Sequence, residues 1–581
     1  MTRIAEGIQG KSFISGVNNP VERTLRSCIL HDPSLGLIAS EKILYRQPSI
    51  NNEKVILLSG GGCGHEPAHA GYLGEGALDV VVAGEIFASP SASQILAAMH
   101  TVRSSKGTLM IAKNYTGDKL NFGLAAEKAK ANGHNVNMVV VGDDVSVEGN
   151  SLVGQRGLAG VVFVHKVSGA KAAKGANLDE VTAVANRAAS QMATAAASLD
   201  RCSVPGRAGQ EALPHNQLEF GMGIHNEPGV VRESIPSLES TVQKTLDMIF
   251  TAKPNMWHPK PGLRVALMVN NLGGLSLLEL GVVADEVVRQ VVERGIKIDK
   301  SLVGTFVTSL DGPGFSATLL QLDEELKQLL DAPTTAPAWP RSIHGWGTDA
   351  EAVAMRDIRY MNGVDTYERE TGFKVAMSLV KALIHSVAKT TAEDEPRITQ
   401  YDTLAGDGDC GQTLLNGLVD EFESEDGEFL GIGQIFRRTA ITAERSMGGT
   451  SGAIYAIFLN AVANNLTDQA LANPTTNLQD IISSSLQRGL DELCHYTPAR
   501  IGHRTLMDAL IPFVKTFAGK GSLRDAVLEA CKGAESTRQM AAALGRASYV
   551  GRDRFNEEGG IPDPGALGVV SILRGMEAVL G

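Results

Sequence analysis

Between Lys54 and about Leu330, short apolar runs alternate with longer stretches of helical period. The runs Val55–Leu58, Val80–Val82, Leu109–Ala112, Val139–Val141 and Val265–Val269 are bounded by Gly, Asn or Asp. Uninterrupted apolar runs of this length suit strands covered on both faces, so the N-terminal half reads as an α/β sheet domain. The alanine-rich stretch Ala170–Leu199 predicts one helix, and Leu275–Arg294 predicts another, with Leu278, Val282, Val283 and Val287 at helical spacing.

Pro333, Pro337 and Pro340, followed by Gly345 and Gly347, interrupt this alternation at a density no helix tolerates. They divide the chain into a domain over 1–332, a linker over 333–349 and a second domain over 350–581. In the second domain strand signals fade and apolar positions recur at helical spacing, as in Val375, Leu379, Val380, Leu383 and Ile384. About eight helices fit its ~220 residues at ordinary helix and loop lengths, so it reads as all-α.

The 581 residues exceed what one compact core holds, which agrees with the division. A net charge of −12 argues against a nucleic-acid surface, and no run of residues is long and apolar enough to span a membrane. Six scattered cysteines without a CxxC pair fit reduced thiols, as expected in the cytoplasm. The two glycosylation sequons, at Asn114 and Asn465, are then chance matches. The 63 glycines are roughly 11% of the chain against a usual ~7%, and their clustering points to turns where backbone meets ligand.

Several motifs fit only in part. His65-Glu66-Pro67-Ala68-His69 spells the zinc-hydrolase string, but that chemistry needs a helix, and Pro67 follows a glycine run too closely to lie inside one. Gly406 to Gly411 spells a dinucleotide fingerprint with Asp407 and Asp409 at the positions where a pyrophosphate would lie, and no strand precedes it. An EF-hand reading of the same segment places Gly411 and Leu418 at ligand positions. Gly10-Lys11-Ser12 lacks the first glycine of a P-loop.

Two constellations survive. Asp402, Asp407 and Asp409 crowd three carboxylates into one segment, a donor set suited to Mg²⁺ bridging a nucleotide, though a solvated acidic turn shares the pattern. Downstream, Gly448-Gly449-Thr450-Ser451-Gly452 opens a helix whose amides suit phosphate, and Gly545-Arg546-Ala547-Ser548 and Asp563-Pro564-Gly565-Ala566 add an arginine and a tight turn. In the first domain Gly60 to Pro67, Lys113 to Asp118 and Gly221 to Gly229 each follow an extended segment, where ligands of α/β sheets bind. Their two histidines, lysine and aspartate would supply proton transfer and a nitrogen nucleophile.

GGGCGHEP, KNYTGD, GMGIHNEPG, the Asp402/Asp407/Asp409 spacing, GGTSG, GRAS and DPGA occur in the order found in the ATP-dependent dihydroxyacetone kinases, which the chain resembles over nearly its whole length. The resemblance implies an α/β dihydroxyacetone-binding domain, an eight-helix antiparallel barrel for the nucleotide, and a cytoplasmic homodimer of glycerol metabolism. It implies that His225 holds the ketone as a hemiaminal, that Asp118 accepts the hydroxyl proton with His65 as a further acid/base, and that Gly62, Cys63, Gly64, His65 and Lys113 bind substrate oxygens. Two Mg²⁺ ions would fall on Asp402, Asp407 and Asp409, and ATP on Cys410, Gly411, Gln412, Thr413, Thr450, Ser451, Leu506, Arg546, Asp563, Pro564 and Gly565. Cys63 departs from the serine common in the family. Glyceraldehyde is implied as a second substrate. FAD cleavage with flavin cyclisation, or a non-catalytic sensor of the ketone, stand as alternatives.

Overall fold

The computed structural model describes residues 12–14, 16–47, 53–147, 154–207, 212–252, 257, 259–340, 373–405, 408–417, 427–447, 449–472, 477–542 and 560–581. The chain divides into two compact units, Met1–Arg359 and Tyr360–Gly581.

In the first unit, α1 (Pro20–His31) leads into β1 (Leu35–Ile38), β2 (Ile43–Arg46), β3 (Ile56–Cys63), β4 (Val80–Ile86), α2 (Ala92–Thr101), β5 (Thr108–Lys113), α3 (Thr116–Ala131) and β6 (Val136–Val141). These strands form a six-stranded sheet in the order β1-β2-β4-β3-β5-β6, parallel from β4 to β6. Next come α4 (Val161–Ala173), α5 (Leu178–Ser190), β7 (Met192–Ser198), β8 (Gln217–Phe220), β9 (Val231–Ser234), α6 (Leu238–Thr251), β10 (Arg264–Asn271), α7 (Leu277–Glu293), β11 (Lys297–Gly304), β12 (Gly314–Gln321) and α8 (Glu324–Asp331). A second six-stranded sheet runs β11-β10-β12-β7-β8-β9 and is largely antiparallel.

Helix α4 lies in the core shared by both sheets. Val161, Val162, Phe163, Val164 and Val167 are buried with Leu57, Leu109 and Ile111 of the first sheet and Ala266, Met268 and Leu320 of the second. Such a helix is buried all round, His165, Lys166 and Ser168 included, and carries no amphipathic signal. The opposite face of the first sheet is covered by α2 and α3, and that of the second by α6 and α7. Serine, asparagine and aspartate caps at Ser91, Asn177, Ser237, Ser276 and Asp323 satisfy the first amides of their helices.

The expected helix over Ala170–Leu199 is not formed as one piece. Its residues make the end of α4, then α5, then β7, whose Ala193, Thr194, Ala195, Ala196 and Ala197 are all buried at the centre of the second sheet. Alanine favours a helix by intrinsic propensity, but packing between two helical layers overrides that preference. The expected linker differs as well. Thr335 N donates to Glu75 O and Ala338 N to Gly71 O, and Ala336 and Trp339 are buried, so residues 333–340 belong to the first unit. Residues 341–349 lie outside the described residues.

The second unit contains β13 (Lys374–Ala376), α9 (Met377–Ala405), α10 (Cys410–Asn416), β14 (Phe429–Gly431), α11 (Ile432–Met447), α12 (Gly449–Ala472), α13 (Leu478–Tyr496), α14 (Met507–Ala518), α15 (Leu523–Ser536) and α16 (Pro564–Leu580). Among its described residues it is helical apart from the small β13–β14 pair, which no strand signal announced. Among the described residues no helix is long and apolar enough to cross a membrane.

Gly169 marks the tightest packing of α4. A Cβ there would stand 2.3 to 2.5 Å from backbone atoms of Ala77, which cannot rotate away. Gly169→Ala is expected to cost about 2 kcal/mol by overpacking, read as a lower denaturant midpoint for the first unit. An unchanged midpoint would show that the two segments separate freely.

Candidate active site and nucleotide rim

At the carboxyl end of β3 the chain turns through Gly62, Cys63 and Gly64 into His65. Gly64 has φ +97°, and a Cβ on it would stand 2.6 Å from the Phe87 ring, so only glycine fits this turn. Burial and the nearby Glu66 carboxylate push the Cys63 thiol well up, so it stays un-ionised. His65 is fully buried, and its Nδ1 lies 2.8 Å from the Thr308 carbonyl. A carbonyl only accepts, so Nδ1 carries a proton. Burial, Lys113 and His225 hold His65 well below the usual imidazole range.

His225, in the loop after β8, places its Nε2 3.0 Å from the Nε2 of His65. Its Nδ1 donates to Glu227 Oε1 at 2.9 Å, and its backbone N–H donates to Glu227 Oε2 at 2.9 Å. Burial pushes the Glu227 carboxyl up, but the hydrogen bonds from the His225 ring and backbone outweigh it and bring it down to about 2. Tyr115, Phe87 and His65 hold the His225 ring edge-on, at centroid distances of 4.6, 5.1 and 4.7 Å. With both Nδ1 atoms protonated, a hydrogen bond between the two Nε2 atoms takes one further proton, which gives the pair a single positive charge opposite Glu227.

Lys113 ends β5 with its amine buried and without a hydrogen-bond partner. Burial brings it down to about 8, although Asp118, Glu227, Asp143 and Glu66 all pull it up. Asp118, in the first turn of α3, is buried, and its Oδ1 accepts from Ser89 Oγ at 2.5 Å. Burial raises its carboxyl, partly offset by Lys113, Ser89 and His225, which makes it a better base than an exposed aspartate. The Tyr115 hydroxyl and His69 Nε2 are buried polar atoms that also have no partner. Orphaned buried groups at one place are the mark of a site completed by a polar ligand.

The structure thus brings together Gly62, Cys63, Gly64, His65, Lys113, Asp118 and His225. Ser89, Glu227, Tyr115, Phe87 and Thr308 complete the arrangement and were not singled out from sequence. Glu227 and Tyr115 had a legible signal, since both lie inside segments already marked, Gly221 to Gly229 and Lys113 to Asp118.

In the second unit, Asp402 Oδ2 accepts from the backbone N–H groups of Asp409 and Cys410, both at 3.0 Å, which draws the end of α9 to the start of α10. Asp409 precedes α10 and makes no cap hydrogen bond with its own carboxylate. Asp563 is buried and caps α16, accepting from Ala566 N at 2.8 Å. Its carboxyl is pushed up to about 6 by burial first, with Asp508 and Asp402 adding to it against the Arg504 guanidinium and the cap bond. Cys410 is raised to about 12 by burial and by Asp402, Asp563 and Asp409. Negative charge gathered in this way is what a divalent cation would neutralise, so the residues present fit a metal site.

A Cβ on Gly565 would stand 3.4 Å from Leu506 Cβ, which places Leu506, Asp563, Pro564 and Gly565 together. Gly411, Gln412 and Thr413 form the body of the short α10. Thr450 and Ser451 open α12 as expected, and Met447, just before them, packs against Gly417 and Gly452. Asp407 and Arg546 lie outside the described residues. Among the described residues no three His, Cys, Asp or Glu side chains stand so as to hold a metal ion.

Comparison with known proteins gives two family matches, a Dak1 domain over residues 26–338 and a DAK2 domain over 404–578. The chain is 43% identical over 577 residues to dihydroxyacetone kinase 2 of Saccharomyces cerevisiae, covering 95% of this chain and 96% of the relative. It is 38% identical to the triokinase/FMN cyclase of Homo sapiens, covering 98% and 99%. The crystal structure of the dihydroxyacetone kinase from C. freundii in complex with AMP-PNP and Mg²⁺ matches with a TM-score of 0.61 at 30% identity, covering 96% and 98%.

The lowered Glu227 carboxyl has a measurable consequence. A folded value of about 2 against a usual 4.5 adds stability that is complete above pH 4.5 and is lost as pH falls through 2. Glu227→Gln is expected to lower stability at pH 7 by about 1–2 kcal/mol after screening, with the gap to wild type closing near pH 2. A gap independent of pH would show that the carboxylate is not held by His225.

Proposed function

The chain belongs to the dihydroxyacetone kinase family, and from this we propose that the two sites divide one reaction, transfer of the γ-phosphate of ATP to a hydroxyl of dihydroxyacetone. The observation that carries the reading is the pair of buried, partnerless polar atoms beside His225, the Lys113 amine and the Tyr115 hydroxyl.

The His65–His225 pair accounts for capture of the ketone. With the shared proton on His65, the lone pair of His225 Nε2 attacks the carbonyl carbon and a C–N bond forms. The C=O π electrons pass to oxygen, which takes the proton from His65 Nε2; the positive charge that leaves His65 then lies on the substituted His225 ring, which keeps its Nδ1–H against the Glu227 carboxylate. Glu227 holds the ring in the tautomer that leaves Nε2 free to attack. Glycerol has no carbonyl and forms no such bond, a discrimination that shape alone supplies poorly. Glyceraldehyde has one and is a second substrate in this reading.

Asp118 accepts the proton of the primary hydroxyl as its oxygen bonds to the γ-phosphorus and ADP departs. Lys113, at about 8, keeps its proton at neutral pH and donates to substrate oxygens. In the second unit Asp402, Asp407 and Asp409 would hold Mg²⁺, which supplies charge neutralisation at the phosphates. Leu506, Asp563, Pro564, Gly565, Thr450, Ser451, the α10 residues Cys410 to Thr413, and Arg546 would hold the nucleotide. We further place the helices of this unit in an eight-helix antiparallel barrel, and the enzyme in the cytoplasm as a homodimer.

A coupled ADP-release assay tests the reading. Dihydroxyacetone and glyceraldehyde are expected to turn over and glycerol not. His225→Ala is expected to abolish turnover of dihydroxyacetone, and undiminished activity would sink the covalent role. Asp118→Asn is expected to lower kcat by about a hundredfold or more with the hemiaminal still formed, as mass spectrometry would show. Asp402→Asn is expected to raise the Mg²⁺ concentration needed for half-maximal rate by about tenfold or more, and an unchanged requirement would remove Asp402 from the metal set.

A further inference from the structure

One orphaned atom has no part in the reaction just described. His69, the second histidine of the His65-Glu66-Pro67-Ala68-His69 string, is buried with only 4% of its surface exposed. Its Nδ1 lies 3.3 Å from Ser59 Oγ on β3. The same Oγ receives His165 Nε2 of α4 at 3.1 Å and lies 2.7 Å from the Ile111 carbonyl. Ser59 has a single proton, and it goes to that carbonyl, which has none to give. Both imidazole nitrogens must therefore donate into Oγ. This fixes His69 as the Nδ1–H tautomer and leaves its Nε2 a bare lone pair.

That nitrogen borders the same space beside Gly61 as the acid–base group. A Cβ on Gly61 would stand 3.6 Å from His69 Nε2 and 3.5 Å from Asp118 Oδ2, so the two atoms flank one space that glycine keeps clear. The other Asp118 oxygen is taken by Ser89. The remaining titratable groups facing Asp118 are Lys113, from β5, and His225, from the loop after β8. Around His69 they are His165, Lys113 and His65, and burial together with His165 and Lys113 keeps the ring neutral.

We propose that His69 is a positioning residue for phosphotransfer: its bare Nε2 is the hydrogen-bond acceptor for Asp118 Oδ2 once that oxygen carries the proton of the triose hydroxyl. Before transfer Oδ2 is a carboxylate oxygen and needs donors. During transfer the hydroxyl O–H bond breaks, its electron pair forms the bond to phosphorus, ADP leaves with the electrons of the broken P–O bond, and the proton stays on Oδ2. Only then does Asp118 need an acceptor, and Ser59 ensures that His69 presents one. An Nε2–H tautomer would instead stabilise the carboxylate and weaken the base. His165 extends the device into the central helix, so the tautomer at the site is set from the core.

The inference rests on Asp118 as the base, and the experiment separates the two. The kcat and KM for dihydroxyacetone are measured across pH for wild type, His69→Ala, His69→Gln, Ser59→Ala and Asp118→Asn, with melting curves as folding controls. Loss of the acceptor, or of the hydroxyl that fixes the tautomer, lowers the affinity of Asp118 for its proton. His69→Ala and Ser59→Ala are therefore expected to lower kcat about tenfold, to leave KM within about twofold, and to move the acidic limb of kcat to lower pH. His69→Gln, whose Oε1 restores an acceptor, is expected to recover part of the loss. Should His69→Ala not fold, Ser59→Ala, which removes one oxygen, decides the matter. An acidic limb that stays in place, or a KM that rises with kcat intact, overturns the proposal. Wild-type kcat in Asp118→Asn would overturn the Asp118 reading itself, whereas an inactive Asp118→Asn beside an unaltered Ser59→Ala overturns only the role of His69.

Discussion

Two imidazole nitrogens held 3.0 Å apart, each ring already donating from its other nitrogen, can share only one proton. Much of the first unit can be understood as what that constraint requires. His65 comes from the end of β3, its fixing carbonyl from the segment after β11, and His225 with Glu227 from the loop after β8. Two strands of different sheets and a loop must therefore keep register to within a hydrogen bond. The buried helix α4, packed against both sheets, supplies the common reference, and its close contact at Gly169 leaves little room for one sheet to slide on the other.

The same unit carries polar groups that a structure built for stability alone would not keep. A buried group left without a partner costs about 1–3 kcal/mol, and the lysine, tyrosine and histidine atoms at the site each lack one. Against a net folding stability of about 5–15 kcal/mol this is a substantial burden. It persists because each atom is held by elements that are over-determined elsewhere: Lys113 by β5 pairing, Tyr115 by ring contacts, His69 by Ser59. A ligand that supplies the partners recovers what folding gave up, which couples binding of the triose to the rigidity of the unit.

Strands β3, β4 and β5 were legible because each is largely covered on both faces and reads as an unbroken apolar run, whereas the half-exposed β1 and β2 were not announced. The glycine turns were legible because the chain concentrates them where backbone approaches other groups. Ala170–Leu199 was misread because burial on every side erases the amphipathic period of α4, and because the alanines of β7 answer to their neighbours rather than to propensity. At the site, His65, Lys113, Asp118 and His225 stood in conspicuous segments. Ser89, Thr308 and Ser59 did not, since a hydroxyl or carbonyl that orients another residue has no sequence signature and is found only across long separations. His69 was visible only as half of a zinc motif, and its pairing with Ser59 ten residues earlier depends on the turn between them. In the second unit, Asp563 looked like part of a tight turn, and the structure makes it the cap of α16, where burial also brings it near Asp402.

A ketone beside a buried lysine raises the question of why an imidazole, rather than the amine, would be the nucleophile. The answer lies in protonation. With its amine at about 8, Lys113 is held mainly as the ammonium at neutral pH, whereas the His65–His225 pair, with one proton between its two Nε2 atoms, leaves one of them free. Cys63, pushed up by burial and Glu66, is excluded on the same ground, since an un-ionised thiol is a weak nucleophile. The surroundings that silence the amine and the thiol also disfavour charge on His65, so a proton on its Nε2 is readily given to the carbonyl oxygen. Attack by imidazole gives a carbon that keeps its oxygen, and the positive charge lies on the His225 ring against Glu227, while Asp118 acts as the base at the hydroxyl.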